Sequence, residues 1–238
     1  MDEHRIVEAA GPIADTHVQT SGFARAGGAE TRPALRGWLH LIAAFLVVGG
    51  TAALLVLADS PTSYVGAAIF SASLILLYGT SASYHRVTWG PTPRRIVKRL
   101  DHAMIFVLIA GTYTPLCLEV SLAWGIPLLS VVWGLAGAGA LLKVFWPDGP
   151  RWLSVTLYVG LGWLAVVATQ EVLSSFSPGA LTLLAVGGAL YTLGGIVYAL
   201  RRPDPWPRVF GYHEIFHAFV VAGSAIHYSL IALYVLPD

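Results

Sequence analysis

The sequence predicts an all-α integral membrane protein, a seven-transmembrane helix bundle with its N-terminus cytoplasmic and its C-terminus outside. Three observations carry that prediction. Seven apolar runs follow one another along the chain, each long enough to cross a hydrocarbon core of about 30 Å at about 1.5 Å per helical residue. Charged residues make up 11% of the chain, against roughly 25% in a soluble globular domain. All 14 Lys and Arg residues fall on one side of the alternating runs, the side that the positive-inside rule assigns to the cytoplasm.

The first 35 or so residues hold acids, Gly, Ala, Pro and scattered polar groups without sustained periodicity, and are predicted to be a disordered cytoplasmic tail, 1–35. No basic region leads directly into an apolar segment and cleavage site there, so a secretory signal peptide is not expected. The remainder, 36–238, is predicted to be one membrane domain, because short connections join its spans. Span one is Trp38 to Ala58, preceded by Arg5, Arg25, Arg32 and Arg36 and followed by Asp59. Span two, Val65 to Tyr84, leads into Arg86, Arg94, Arg95, Lys98 and Arg99; span three, Asp101 to Leu118, ends at Glu119. Span four, Trp124 to Leu142, contains Gly134, Gly137 and Gly139 and is followed by Lys143 and Arg151. Span five, Trp152 to Gln170, ends at Glu171. Span six, Leu181 to Leu200, carries Gly187 with Gly194 and Gly188 with Gly195, each pair seven residues apart on one helix face, where small residues permit close packing in lipid. Arg201, Arg202 and Arg208 follow it, and span seven runs from Ile215 to Tyr234 before the terminal Asp238.

These features exclude several classes. The net charge of +1 carries no nucleic-acid signal, since the basic residues are spent on topology and anionic headgroups, and no basic patch interleaves with aromatics. A single cysteine, Cys117, sits in an apolar span as a small hydrophobe and excludes an intrachain disulfide. A retinal-binding pump needs a lysine in the last span, whereas Lys98 and Lys143 are expected in cytoplasmic loops. The preponderance of Arg over Lys, 12 to 2, points to a bacterial source and hence a bacterial plasma membrane.

Chemistry enters at the start of span seven. His213 and His217, at i and i+4, project from one helix face, so both imidazoles can reach one ion at roughly 2.0–2.1 Å. His85, at the basic end of span two, offers a third ligand at the same membrane depth, and Asp101, at the start of span three, completes a level. Ionisable residues at membrane depth are costly and usually face the bundle interior. The plainer alternative is interfacial: His85 solvated beside Arg86, and Asp101 capping span three or pairing with Arg99. Ser81 lies one turn deeper than His85 on the same face, facing the site or bonded back to the carbonyl at i−4. His227 is 14 residues beyond His213, about 21 Å along the axis, too far to share an ion, and is expected to be a hydrogen-bonding residue near the outer leaflet. His40 and His102 are expected at the interface, His102 with the option of supporting a ligand.

Several motifs resemble one family. Ser81-Ala82-Ser83-Tyr84-His85, Arg99-Leu100-Asp101, Gly111-Thr112-Tyr113-Thr114-Pro115, Phe210 to Phe219 around His213 and His217, and His227-Tyr228 together resemble the hemolysin III branch of the progestin and adipoQ receptor family, which includes the adiponectin receptors. The resemblance runs from about Arg36 to the C-terminus. It implies zinc held by His85, His213 and His217, with Asp101 against a zinc-bound water and Ser81 nearby. It also implies, for some members, a hydrolase of lipid amides such as ceramide; on the chain's own residues, a lipid amide or ester entering between helices could place its carbonyl at this level. Glu214 departs from the receptors, which carry a neutral residue there.

Three neutral imidazoles leave zinc an open position, as catalytic sites do, so the residues point to hydrolysis with Asp101 and Ser81 as the catalytic pair. The string His213-Glu214-Ile215-Phe216-His217 also fits a metalloprotease with Glu214 as general base, but only 21 residues follow it and they hold no acid before Asp238. A non-enzymatic receptor or membrane-homeostasis protein with a structural zinc would need the same three histidines, and a cytolytic protein is the remaining possibility. Membrane lipids are the expected partners, and nucleic acid is not.

Overall fold

The computed structural model describes residues 33–236. Of the predicted tail, 1–32 lies outside the described residues, as does Asp238. Seven helical spans are long and apolar enough to cross a membrane, so the seven-helix bundle expected from the sequence is the fold. The helices are α1 (Trp38–Leu57), α2 (Pro61–Arg86), α3 (Pro91–Glu119), α4 (Leu122–Phe145), α5 (Arg151–Gly162), α6 (Thr169–Ser175), α7 (Pro178–Leu200) and α8 (Tyr212–Tyr234). A 3₁₀ segment, Leu164–Ala168, joins α5 to α6, and the three together form the fifth span.

Local chemistry sets the starts. Pro61, Pro91 and Pro178 occupy first-turn positions, where a missing N–H costs nothing. Ser60 and Ser177 cap their helices by accepting from the Ser63 and Ala180 N–H groups. α3 packs on both α2 and α4, α7 pairs with α8, and α1 lies against α2 and α8. Spans two and three are the most enclosed, 56% buried over their apolar windows against 17% for span one. Phe45, Leu46 and Val56 of α1 are therefore largely exposed, as lipid-facing side chains should be.

The small-residue faces of span six pack as their spacing predicts. A side chain at Gly187 would meet the His227 ring and one at Gly194 would meet Phe219, both on α8. Gly188 faces Trp163 and Gly195 faces Val155, on the fifth span. One helix thus serves two neighbours through adjacent glycine rows. Of Gly134, Gly137 and Gly139 in span four, only Gly139 plays this part, against the ring of Phe106, while the first two meet nothing within 4 Å.

Three expectations need correction. The third helix begins ten residues before Asp101, at Pro91, because hydropathy marks where lipid begins and not where hydrogen bonding begins. Asp101 therefore lies inside the helix and does not cap it. Lys98 and Lys143 are likewise helical and not in loops: Lys98 donates to Asp148 across 2.6 Å, and Lys143, only 4% exposed, donates to the Ser154 hydroxyl. The fifth span is also not one helix. Its α-helical pattern fails at Gly162, and the freed backbone is served by Tyr113 of α3, whose hydroxyl donates to the Gly162 carbonyl at 2.8 Å and accepts from the Ala165 N–H at 2.8 Å.

Candidate metal centre

Four helices converge on one end of the bundle. The last turn of α2 presents Ser81 and His85, the first turns of α8 present His213 and His217, α3 presents Asp101, and the first turn of α1 presents His40. Ligand nitrogens of His85, His213 and His217 all lie within 4.8 Å of one another. The Nε2 atoms of His85 and His213 are 3.3 Å apart. Two nitrogens held at about 2.05 Å by one tetrahedral ion would stand roughly 3.3 Å apart, so the spacing and the all-imidazole donor set fit zinc. His85 and His217 are buried, 8% and 3% exposed, which gives any ion placed there a largely dry surrounding.

Asp101 reaches the same space, its Oδ2 lying 3.9 Å from the His85 Nε2. The Ser81 hydroxyl is buried, faces the Asp101 carboxylate and makes no bond to a carbonyl of its own helix, so the alternative of a bond back to that helix is not realised. Asp101 forms no ion pair with Arg99, whose Nε is itself buried without a partner among the described residues. Asp101 thus neither caps its helix nor pairs with Arg99, and His85 is buried where the interfacial alternative had it solvated.

The structure also accounts for Glu214. Its side chain is 1% exposed, its Oε2 accepts from the Gly211 N–H at 2.9 Å, and its Oε1 pairs with the Arg36 guanidinium. Both oxygens are thus engaged in capping α8 and in tying it to the segment before α1, which leaves no carboxylate oxygen for a protease-type general base. That segment is held further by backbone bonds from the Ala34 and Leu35 N–H groups to the Arg208 and Val209 carbonyls, at 3.0 and 3.1 Å. Gly37, at φ +80°, turns it into α1 directly against the His85 Cβ, a place where both the positive φ and the close approach require glycine. The Arg86 guanidinium lies over the Trp38 ring at 4.3 Å, joining the end of α2 to the same corner.

Sequence reasoning missed His40. It is not interfacial: it is 3% exposed and stacks face to face on His217, centroids 3.8 Å apart and 9° from parallel, with the Tyr78 ring edge-on at 5.0 Å. A signal existed, since His40 begins span one at the level of the other histidines. His102 bonds the Lys98 carbonyl through Nδ1 at 2.7 Å and lies beside the ligands without joining them. His227 sits well away, with Nε2 3.3 Å from the Leu184 carbonyl, in keeping with its expected hydrogen-bonding part.

A predominantly apolar cavity opens from this centre. Its near end is lined by His40, Ser81, Asp101, His213 and His217, and its far end by Trp163, Gly188 and His227. Ile105, Leu108, Val155 and Val220 line the stretch between. A second cavity shares Thr112, Tyr113, Gly162 and Trp163 with it, so the break in the fifth span stands between the two.

Fold and site together define a class: seven-helix membrane proteins with a three-histidine centre at one end of an apolar cavity. Residues 29–228 match the family described as Haemolysin-III related. The chain is 37% identical over 167 residues to the Hemolysin-3 homolog of Bacillus subtilis (strain 168), covering 70% of this chain and 75% of that one. It is 32% identical over 204 residues to Hemolysin-3 of Bacillus cereus, covering 83% and 89%. The Adiponectin receptor protein of Drosophila melanogaster is 26% identical over 217 residues, 82% of this chain and 49% of the receptor. The chain belongs to the hemolysin III branch of the progestin and adipoQ receptor family, and is a multi-pass integral protein of the bacterial plasma membrane.

Proposed function

We propose that the chain binds one zinc ion through His85, His213 and His217 and hydrolyses an amide or ester bond of a membrane lipid, with ceramide-like amides as the leading substrates. The observation that carries this reading is the convergence of three imidazoles within 4.8 Å of one another, two of which, His213 and His217, line one end of an apolar cavity. Zinc held there would supply Lewis acidity, polarising a carbonyl and making water nucleophilic near neutral pH.

The chain's own residues do the rest. The apolar wall accommodates an acyl chain and excludes water, so hydrogen bonds at the polar end act in a low dielectric. Asp101 accepts a proton from the attacking water at Oδ2 and passes it to the leaving amine or alkoxide. Ser81, with its hydroxyl buried and free of its own helix, donates to the substrate's carbonyl region and holds it in register. The basic residues that cluster near this end support, by the positive-inside rule, a reading in which it faces the cytoplasm, with the N-terminus cytoplasmic and the C-terminus outside.

Elemental mass spectrometry of the purified protein tests the metal: about one zinc per chain is expected, absent from a His213→Ala, His217→Ala double variant. Lipid amides and esters are then screened with Asp101→Ala as control; metal-free wild type, or full turnover in Asp101→Ala, sinks the proposal. One observation favours a second reading, a receptor or membrane-homeostasis protein with structural zinc: the ligands join α2 to α8, which an ion would cross-link. A zinc-loaded protein inert toward every lipid amide and ester would favour it. A cytolytic activity rests on the Bacillus relatives' name alone.

A further inference from the structure

At the polar end of the cavity, His40 lies in the first turn of α1, 3% exposed, and neither Nδ1 nor Nε2 makes a hydrogen bond of good geometry among the described residues, although the His217 backbone lies within reach of the ring. A buried polar group without a partner is costly. If the position served only to pack a ring on His217 and Tyr78, a phenylalanine would do so without burying ring nitrogens that lack a well-formed bond. With one ring face on His217, recognition falls to the ring's edge, where the nitrogens lie, and His40 lines the cavity beside Ser81 and Asp101.

We propose that His40 is a specificity-determining residue, which reads a hydroxyl on the polar head of the lipid that occupies the cavity; the assignment rests on the lipid-hydrolase reading above. A neutral imidazole offers one donor and one acceptor. A hydroxyl both donates and accepts, so it satisfies whichever nitrogen faces it, whereas an ester or ether oxygen can only accept. The occupant's class is thus an amphiphile with a hydroxyl close to its amide or ester and a long apolar tail. The ring is held in advance of binding, by its stack on His217 and by the Arg36–Glu214 pair and Gly37 turn that anchor the start of α1.

The test uses two fluorescent N-acyl amides that differ in one atom, a 2-hydroxyethyl head and an ethyl head. Binding is measured on zinc-loaded and chelator-treated protein in detergent, and kcat/KM on the loaded protein. Wild type is expected to bind the hydroxylated amide about tenfold more tightly than the ethyl amide, as loss of one buried hydrogen bond requires. His40→Phe is expected to keep its zinc and bind the two alike, and His40→Asn to recover part of the preference. Equal binding of the two amides by wild type, or a preference retained in His40→Phe, overturns the assignment. Should His40→Phe fail to fold, His40→Leu takes its place with the same expected result. The two proposals fail separately: a preference lost in His40→Phe without any hydrolysis ends the hydrolase reading and keeps the role of His40, whereas hydrolysis with an unchanged preference does the reverse.

Discussion

At the residue scale, the carboxylates at this end of the bundle have different partners and so different expected losses. Asp101 faces the ligand cluster at 3.9 Å from His85, and Asp101→Ala is expected to retain zinc while losing turnover by at least about 100-fold, checked by metal content and lipid-amide kinetics side by side. Glu214 is spent on structure. Removing either member of the Arg36–Glu214 pair strands a buried or half-buried charge, so Glu214→Ala and Arg36→Ala are each expected to destabilise by roughly 3 kcal/mol. The double variant should lose less than the two combined, and chemical unfolding in detergent micelles of all four proteins checks the cycle. Additive losses would mean that the pair does not hold α8 to the start of α1.

At the scale of the element, the fifth span and the sixth carry the clearest consequences. Tyr113 alone serves both the Gly162 carbonyl and the Ala165 N–H at the break. Tyr113→Phe keeps the ring and removes the hydroxyl, and is expected to cost about 1–3 kcal/mol, seen as a lower melting temperature in detergent. Gly187 lies against the His227 ring, so Gly187→Val should separate α7 from α8 or displace His227, with a larger loss of melting temperature than Gly134→Val, whose position meets nothing within 4 Å. Equal effects from the two would show that the glycine row does not set the packing. The sequence pattern marked both rows of span six and the length of span five; it carried no sign of the 3₁₀ break, because the residue that makes the break tolerable is Tyr113, about fifty positions earlier.

At the scale of the whole molecule, an ion on His85, His213 and His217 would join the second helix to the last, closing the bundle across most of the chain's length. A ligand that binds only the folded protein raises its apparent stability. Chelation is therefore expected to lower the melting temperature of wild type and to leave the His213→Ala, His217→Ala variant unmoved. Topology has its own check: single cysteines placed in the 201–210 connection of a Cys117→Ser protein should be labelled by an impermeant thiol reagent only from the cytoplasmic side, and those in the 58–60 connection only from outside. The reverse pattern would overturn the assigned orientation.

The sequence by itself determined the seven spans, the family, and the grouping of His85, His213, His217, Asp101 and Ser81 at one membrane level. It could do so because membrane depth is a one-dimensional property: hydropathy and charge fix how far along the bilayer normal each residue sits. Only the tertiary structure decided what lies beside what within that level. Depth does not say that the ring of His40 stacks on His217, that Glu214 turns away to Arg36 and Gly211, or that Lys143 is buried against Ser154. Those contacts depend on how each helix is rotated and which neighbour it meets, and both are set by long-range packing of small residues, rings and buried polar pairs.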